Sequence, residues 1–348
     1  MPRRLVVVAP HEADITEYED QGVGRGEILV RVQYASPKHG TELAMFRGTD
    51  PFAGVMFDED WRLFLKRGDV PLLNGDKPVL GNQWVGVVTE AGEGVEEFEV
   101  GQRVCGYGGI QETQLVAAAN PYLRVMPDDM SWKNALCLDP AQFALGGIRD
   151  GGLRLGDSVA VFGLGAIGSI AALMARAAGA SYVAVVDPIR KRREASLADG
   201  ADAAFDPNTH DVGMELKRAT DKRGVDVVVE TSGDERALQQ ALRGLAYGGT
   251  ISFVGWARAF RGSLNLGQEA HFNSANLNFS RASSEPNRDH PRWDRRRIVQ
   301  SCWTMLARGE INCERVIEPV VPFEESHRAY EEFVDRNPQE SIKLGVTF

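Results

Sequence analysis

Three glycines and one carboxylate carry the most specific chemistry in this chain. Gly163, Gly165 and Gly168 form a GxGxxG pattern inside VAVFGLGAIGSIAALMARAAGA, directly after an apolar run at residues 158–162 and at the opening of a helix-forming run that begins near Ala166 and Ile167. Each glycine has a physical task. The first permits a tight turn, the second lets a pyrophosphate approach the backbone, and the third lets helix and strand pack closely while the helix N-terminus faces the phosphates. The pattern alone is a weak signal, but the next strand ends at Asp187, near the spacing of about 20 residues expected for the acid that receives ribose hydroxyls. A carboxylate at that position repels a 2′-phosphate, so the reading is a dinucleotide site that prefers NAD to NADP. Arg190, Lys191, Arg192 and Arg193 follow at once. They are either the start of a solvated helix or cations that attract a phosphate, which counts against the preference for NAD.

The elements that must position this site fall into two rhythms. Residues 27–36, 84–92, 102–107 and 112–118 are β-prone runs punctuated by glycine turns, which predicts a barrel-like or sandwich core. From residue 158 onward strand and helix alternate, with apolar strands at 158–162, 182–187, 225–231 and 250–255. That alternation predicts a parallel, doubly wound sheet, and the fold class is therefore α/β. Residues 49–78, with Phe52, Phe57, Trp61 and Phe64, and residues 257–297, rich in Asn, Ser and Arg, are irregular and are expected to be lids or binding loops.

The bulk properties exclude several function classes. A length of 348 residues favours two domains. The 39 basic against 49 acidic residues, a net charge of −10, argue against a surface built on nucleic-acid phosphates. Cys105, Cys137, Cys302 and Cys313 have neither disulfide-framework nor zinc-ribbon spacing and are read as reduced, buried thiols. No apolar run reaches the ~18 residues of a membrane span, so the expected location is the cytoplasm and the expected partner a small hydroxyl or carbonyl compound.

The chain as a whole resembles the medium-chain dehydrogenase/reductase superfamily, the group of zinc alcohol and sorbitol dehydrogenases. The resemblance is carried by VVTEAGEGVEEFEVGQRV (87–104), LRLGDSVAVFGLGAIG (153–168), GVDVVVETSG (224–233) and LRGLAYGGTISFVG (242–255), which stand in the family's order. It implies a GroES-like catalytic domain over residues 1–139, a Rossmann domain over 140–283, and a segment 284–348 that completes the catalytic domain. It also implies that Thr231, Ser232 and Gly233, with Val254 and Gly255, line the cofactor site, and it carries an expectation of a homo-oligomer, dimer or tetramer.

The pattern departs from the zinc enzymes where their metal is held. In place of Cys-Gly-Ser/Thr-Asp, Gly-His-Glu and a Glu-Pro pair stand His39-Gly40-Thr41-Glu42, Gly81-Asn82-Gln83 and Asp139-Pro140. His39 and Asp139 are plausible donors and Asn82 is a poor one. The structural-zinc lobe is missing after Cys105, so no metal is expected, and the closer resemblance is to a zinc-lacking branch that includes bacteriochlorophyllide dehydrogenases. Without a Lewis acid, side chains must take the hydroxyl proton. The resemblance places Thr41 at a relay hydroxyl, His39 or Asp139 as acid–base partner, and Gln83, Asn82 and Lys38 as donors to the substrate oxygen. Trp61, Phe64 and Trp84 are candidates for an apolar wall, and the cluster Arg288, His290, Arg292, Arg295, Arg296 and Arg297 faces either an anion or solvent.

The expected activity is NAD-dependent interconversion of a secondary alcohol, such as a polyol or sugar, and its ketone. Two alternatives stay open: an NADPH-dependent quinone or enoyl reductase, and a dinucleotide-binding protein without catalysis.

Overall fold

β-Branched runs and well-placed glycines build two compact units, Met1–Asp128 with Glu318–Phe348, and Asp129–Ile317. The computed structural model describes every residue except 50, 51, 53, 67–76, 257, 258 and 263, together with the side chain of Thr41. The divisions differ from the expected 139/140 and 283/284. The helices Trp132–Ala135 and Leu138–Asp150 both pack on Arg295–Ala307, which draws their residues into the central unit.

In the first unit the alternating runs form the expected β-rich core. The antiparallel strands Glu27–Ser36, Gln83–Ala91, Arg103–Tyr107 and Arg124–Val125 are extended at the other edge by Lys343–Thr347 and Ile317–Pro322, and Thr113–Ala117 also pairs with Glu27–Ser36. Register shifts between Leu29 and Val30 and between Val32 and Tyr34 bend the sheet, as bulges do. Leu5, Ile28, Val30, Trp84, Val104, Ile110, Tyr330 and Leu344 fill the core. Trp84 is thus a packing residue rather than part of a substrate wall.

The central unit carries the parallel sheet, in the order Ala203–Phe205, Tyr182–Val186, Ser158–Phe162, Val225–Glu230, Leu245–Phe253 and Asn276–Phe279. The first of these in sequence, Ser158–Phe162, lies between Tyr182–Val186 and Val225–Glu230, so the chain reverses direction across the sheet at its C-terminal end. That is the crevice where such sheets bind ligands. Val159, Ala160, Val161, Val183, Ala184, Val185, Val227, Val228 and Val229 are all buried, as strands covered on both faces require.

Two stretches expected to be irregular contain regular structure. Val55–Asp58 pairs antiparallel with Leu63–Lys66, a hairpin on which Trp61 is 73% and Phe64 55% exposed. Residues 257–297 include the helix Glu269–Phe272 and the sheet's outermost strand, Asn276–Phe279. All three strands are four residues long, too short for an alternation to register against the surrounding polar residues. Among the described residues no helix is long and apolar enough to cross a membrane, and all four cysteines are buried and none forms a disulfide.

Candidate functional site

The dinucleotide candidates converge at the crevice of the central unit. Gly163 adopts φ +83°, and its N–H donates to the Val186 carbonyl at 2.8 Å. The helix Ala166–Ala177 starts immediately after Gly165. The amides of Ala166, Ile167 and Gly168 have no carbonyl one turn back to bond, so they are available to an anion. A Cβ on Gly168 would lie 1.7 Å from the Gly163 carbonyl oxygen, whereas one on Gly165 would meet nothing within 4 Å. The third glycine is therefore required by packing. The second faces open space of the kind a pyrophosphate fills, so these residues fit the cofactor.

Asp187 is 3% exposed. Its carboxylate accepts from the Leu164 amide at 2.6 Å and the Ile189 amide at 2.7 Å, which holds it at the end of its strand beside the glycine loop. The neighbouring cations are largely committed. Arg190 pairs with Glu194 at 2.7 Å, and Arg193 pairs with Asp206 at 3.2 Å and donates to the Asp187 carbonyl. Arg192 lies 3.9 Å from the Asp187 carboxylate. Burial lowers the pKa of its guanidinium and Asp187 opposes that shift.

Thr231, Ser232 and Gly233 turn at the end of the fourth strand. The Thr231 hydroxyl donates to the Gly163 carbonyl at 2.8 Å. Glu230, which sequence reasoning passed over, organises the turn from inside. Its fully buried carboxylate accepts from the Ser232 amide at 2.8 Å and the Gly233 amide at 3.1 Å. Its main-chain carbonyl accepts from the Val254 and Gly255 amides at 2.8 and 2.9 Å, so one residue ties the 231–233 and 254–255 turns together. Burial raises the Glu230 carboxyl, with Ser232 and Gly233 opposing.

The first unit holds His39, Asn82 and Gln83, whereas Asp139 belongs to the central unit, where it is 8% exposed in the first turn of Leu138–Asp150. His39 opens the helix His39–Phe46, and its Nε2 accepts the Leu344 amide at 3.0 Å. A ring nitrogen that accepts from a backbone N–H has no lone pair left for a proton or a metal. In this arrangement the proton of the neutral His39 ring sits on Nδ1. Asn82 follows Gly81, whose φ of +134° brings the chain so close to Ile110 that a Cβ would lie 2.3 Å from its amide. The Asn82 side-chain nitrogen is buried with no hydrogen-bond partner among the described residues, a donor suited to a substrate oxygen. Gln83 is fully buried at the start of its strand. The Thr41 side chain lies outside the described residues.

Two residues that the sequence left in the background complete this cluster. Glu42 is buried, and its carboxylate accepts from the Gly81 amide at 2.8 Å and the Lys38 amide at 2.9 Å. It thereby ties the helix to the Gly81–Gln83 turn. Burial pushes the Glu42 carboxyl up from 4.5 to about 7, against the two amides and the Lys343 and Lys38 charges. Lys343 is buried and donates to the Pro37 carbonyl. Neither a helix-period nor a strand-period pattern reveals a contact that spans three hundred residues.

The shifted carboxyl has a consequence for stability. Its folded pKa exceeds its unfolded one, so its favourable contribution is complete below about pH 4.5 and is lost as pH rises through about 7. A gap of that size corresponds to on the order of 3 kcal/mol. Glu42→Gln should therefore lose less melting temperature than wild type between about pH 5 and about pH 8, by a few degrees. Parallel curves in the two proteins would assign the proton elsewhere.

The donors present do not fit a catalytic zinc. His39 Nε2 is engaged by Leu344, Asn82 offers an amide, and zinc's protein ligands are thiolates, imidazoles and carboxylates. Among the described residues no three His, Cys, Asp or Glu side chains gather as a ligand set.

Comparison with known proteins places the chain. Residues 24–126 match the alcohol dehydrogenase GroES-like domain and residues 166–287 the zinc-binding dehydrogenase domain. A D-guloside 3-dehydrogenase of Escherichia coli (strain K12) is 50% identical over 349 residues, covering 99% of this chain and 100% of that protein. The chain belongs to the medium-chain dehydrogenase/reductase superfamily. It is an alcohol or polyol dehydrogenase of the medium-chain type, a class that uses NAD(P). Two crystal structures show the same fold: a 2R,3R-butanediol dehydrogenase from Bacillus subtilis (TM-score 0.78, 21% identity, 100% of both chains) and a protein from Sinorhizobium meliloti 1021 bound to NADP (TM-score 0.77, 19% identity, 100% of this chain and 99% of that one).

Proposed function

We propose that the protein is an NAD-dependent dehydrogenase that converts a secondary hydroxyl of a sugar, glycoside or polyol to a ketone, and the reverse, without catalytic zinc. The observation that carries the substrate class is the 50% identity, over 99% of this chain, with a dehydrogenase named for position 3 of a guloside. When bound, NAD supplies the hydride acceptor. The chain's own residues manage the other half of the reaction. Asp139 takes the hydroxyl proton, directly or through Thr41. His39, through Nδ1–H, and the Asn82 amide donate to the substrate oxygen as charge develops on it, and Gln83 supports the same pocket. His39 is the weaker candidate for the base because its Nε2 already accepts the Leu344 amide.

The test is NADH formation from NAD with a panel of glycosides, free sugars and polyols, alongside metal analysis. A ketone formed at one ring carbon by protein without stoichiometric zinc is the expected result. Activity lost on chelation, with one zinc per chain, would overturn the metal-free reading, and turnover of quinones with NADPH alone would overturn the substrate class.

Asp187 supports the choice of NAD, since a buried carboxylate whose nearby cations are already paired repels a 2′-phosphate. Asp187→Ser should weaken NAD by about tenfold or more and improve NADP. A wild type that already prefers NADP would end this assignment. The cytoplasm remains the proposed location. A homo-oligomer is also proposed. It is supported by the sheet's outermost strand, where Phe279 is 70% exposed, and light scattering that gives a single-chain mass would refute it.

A further inference from the structure

The arginine-rich stretch before the helix Arg295–Ala307 has no part in the chemistry above, yet it walls a cavity of about 300 Å³ in the central unit. Arg149, Arg281, Arg288, Asp150, Asp289 and Asn287 bring polar groups to this cavity. Its charges do not cancel. Arg149 pairs with Asp289, and Arg288 reaches Asp150 at 3.8 Å, which leaves the Arg281 guanidinium with no ion-pair or hydrogen-bond partner among the described residues. A second observation points the same way. The Asn287 side-chain nitrogen is buried with no hydrogen-bond partner among the described residues, while its oxygen accepts the Asp289 amide at 3.0 Å and so fixes the orientation of the group. Leaving a buried donor unbonded is costly, and an acceptor from outside would relieve that cost.

We propose that this cavity binds an oxyanion, a phosphate or carboxylate carried by a small ligand, with Arg281 and the Asn287 amide as its donors. The class follows from what the walls offer. Both carboxylates are held by arginines, so a cation finds no free partner. The indole of Trp293 is already covered by the guanidinium groups of Arg149 at 3.7 Å and Arg297 at 4.3 Å, so it is not free to stack on a base or a sugar ring. One unpaired guanidinium and one oriented amide N–H match an oxyanion, for which charge-assisted bonds are the strong ones.

Isothermal titration of the full chain with inorganic phosphate and, separately, with acetate tests the proposal, and it requires neither a substrate nor an assumption about the reaction. Saturable binding is expected for at least one probe, and which one distinguishes phosphate-bearing from carboxylate-bearing ligands. Arg281→Gln and Asn287→Asp should each weaken it by about tenfold or more. Arg281 is exposed, so its variant carries the test if the Asn287 substitution disturbs folding. Failure of both probes to bind would overturn the proposal. So would variants that bind as wild type does, since an anion held at the Gly163–Gly168 loop would ignore both changes.

Discussion

Asp139→Asn should lower turnover by ~10²-fold to 10⁴-fold while leaving cofactor affinity close to that of wild type, the range over which general acid–base groups act. Hydride cannot leave a carbinol carbon unless the hydroxyl proton is also removed, and the amide of Asn cannot accept it. His39→Ala and Thr41→Ala should reduce turnover in the same direction, the first by removing a donor to the oxyanion and the second by removing the relay. Single-turnover hydride transfer for each variant is the measurement. If activity falls with the midpoint of an ordinary histidine and that dependence vanishes in His39→Ala, the base is His39 rather than Asp139. Near-wild-type rates in all three variants would dismiss the relay and turn attention to Glu42 and Lys343.

An equally large loss is expected for Gly168→Ala, this time in binding. The added methyl carbon would sit 1.7 Å from the Gly163 carbonyl oxygen and 2.9 Å from the Thr231 hydroxyl. The helix must then move off the strand, and the amides that face the phosphates move with it. Overpacking of this kind costs ~1–3 kcal/mol in stability, and dinucleotide affinity should fall by about 100-fold. Gly165→Ala separates the two effects, since its methyl meets nothing within 4 Å in the protein itself. Its melting temperature should stay unchanged while NADH titration shows weakened binding. Unimpaired binding in both variants would mean that the pyrophosphate lies elsewhere.

These contrasts show which parts of the molecule were legible in the linear chain. The strands Ser158–Phe162 and Tyr182–Val186 were legible because both faces are buried, which demands unbroken apolar runs. The glycine loop was legible because close backbone approach tolerates no Cβ. The hairpin Val55–Lys66 was not, since its second strand, Leu63–Lys66, is exposed along its whole length and so follows no burial pattern. Glu42 looked like one acidic residue among many, and its effect comes from burial that only the folded chain supplies. The Leu344 amide was invisible for a different reason. It acts through the backbone, so no side chain marks it, and it occupies the lone pair of His39 Nε2.

The discontinuity of the first unit sets the order in which the protein can be made. On the ribosome, Asp129–Ile317 is synthesised before Glu318–Phe348, so the parallel sheet, whose last strand ends at Phe279, can form while the other unit still lacks two of its strands and the buried Tyr330 and Leu344. Until translation reaches those last residues, Ile28, Val30 and Trp84 remain without part of their cover. A nascent chain can therefore complete the dinucleotide crevice while His39 still lacks the Leu344 amide that orients it.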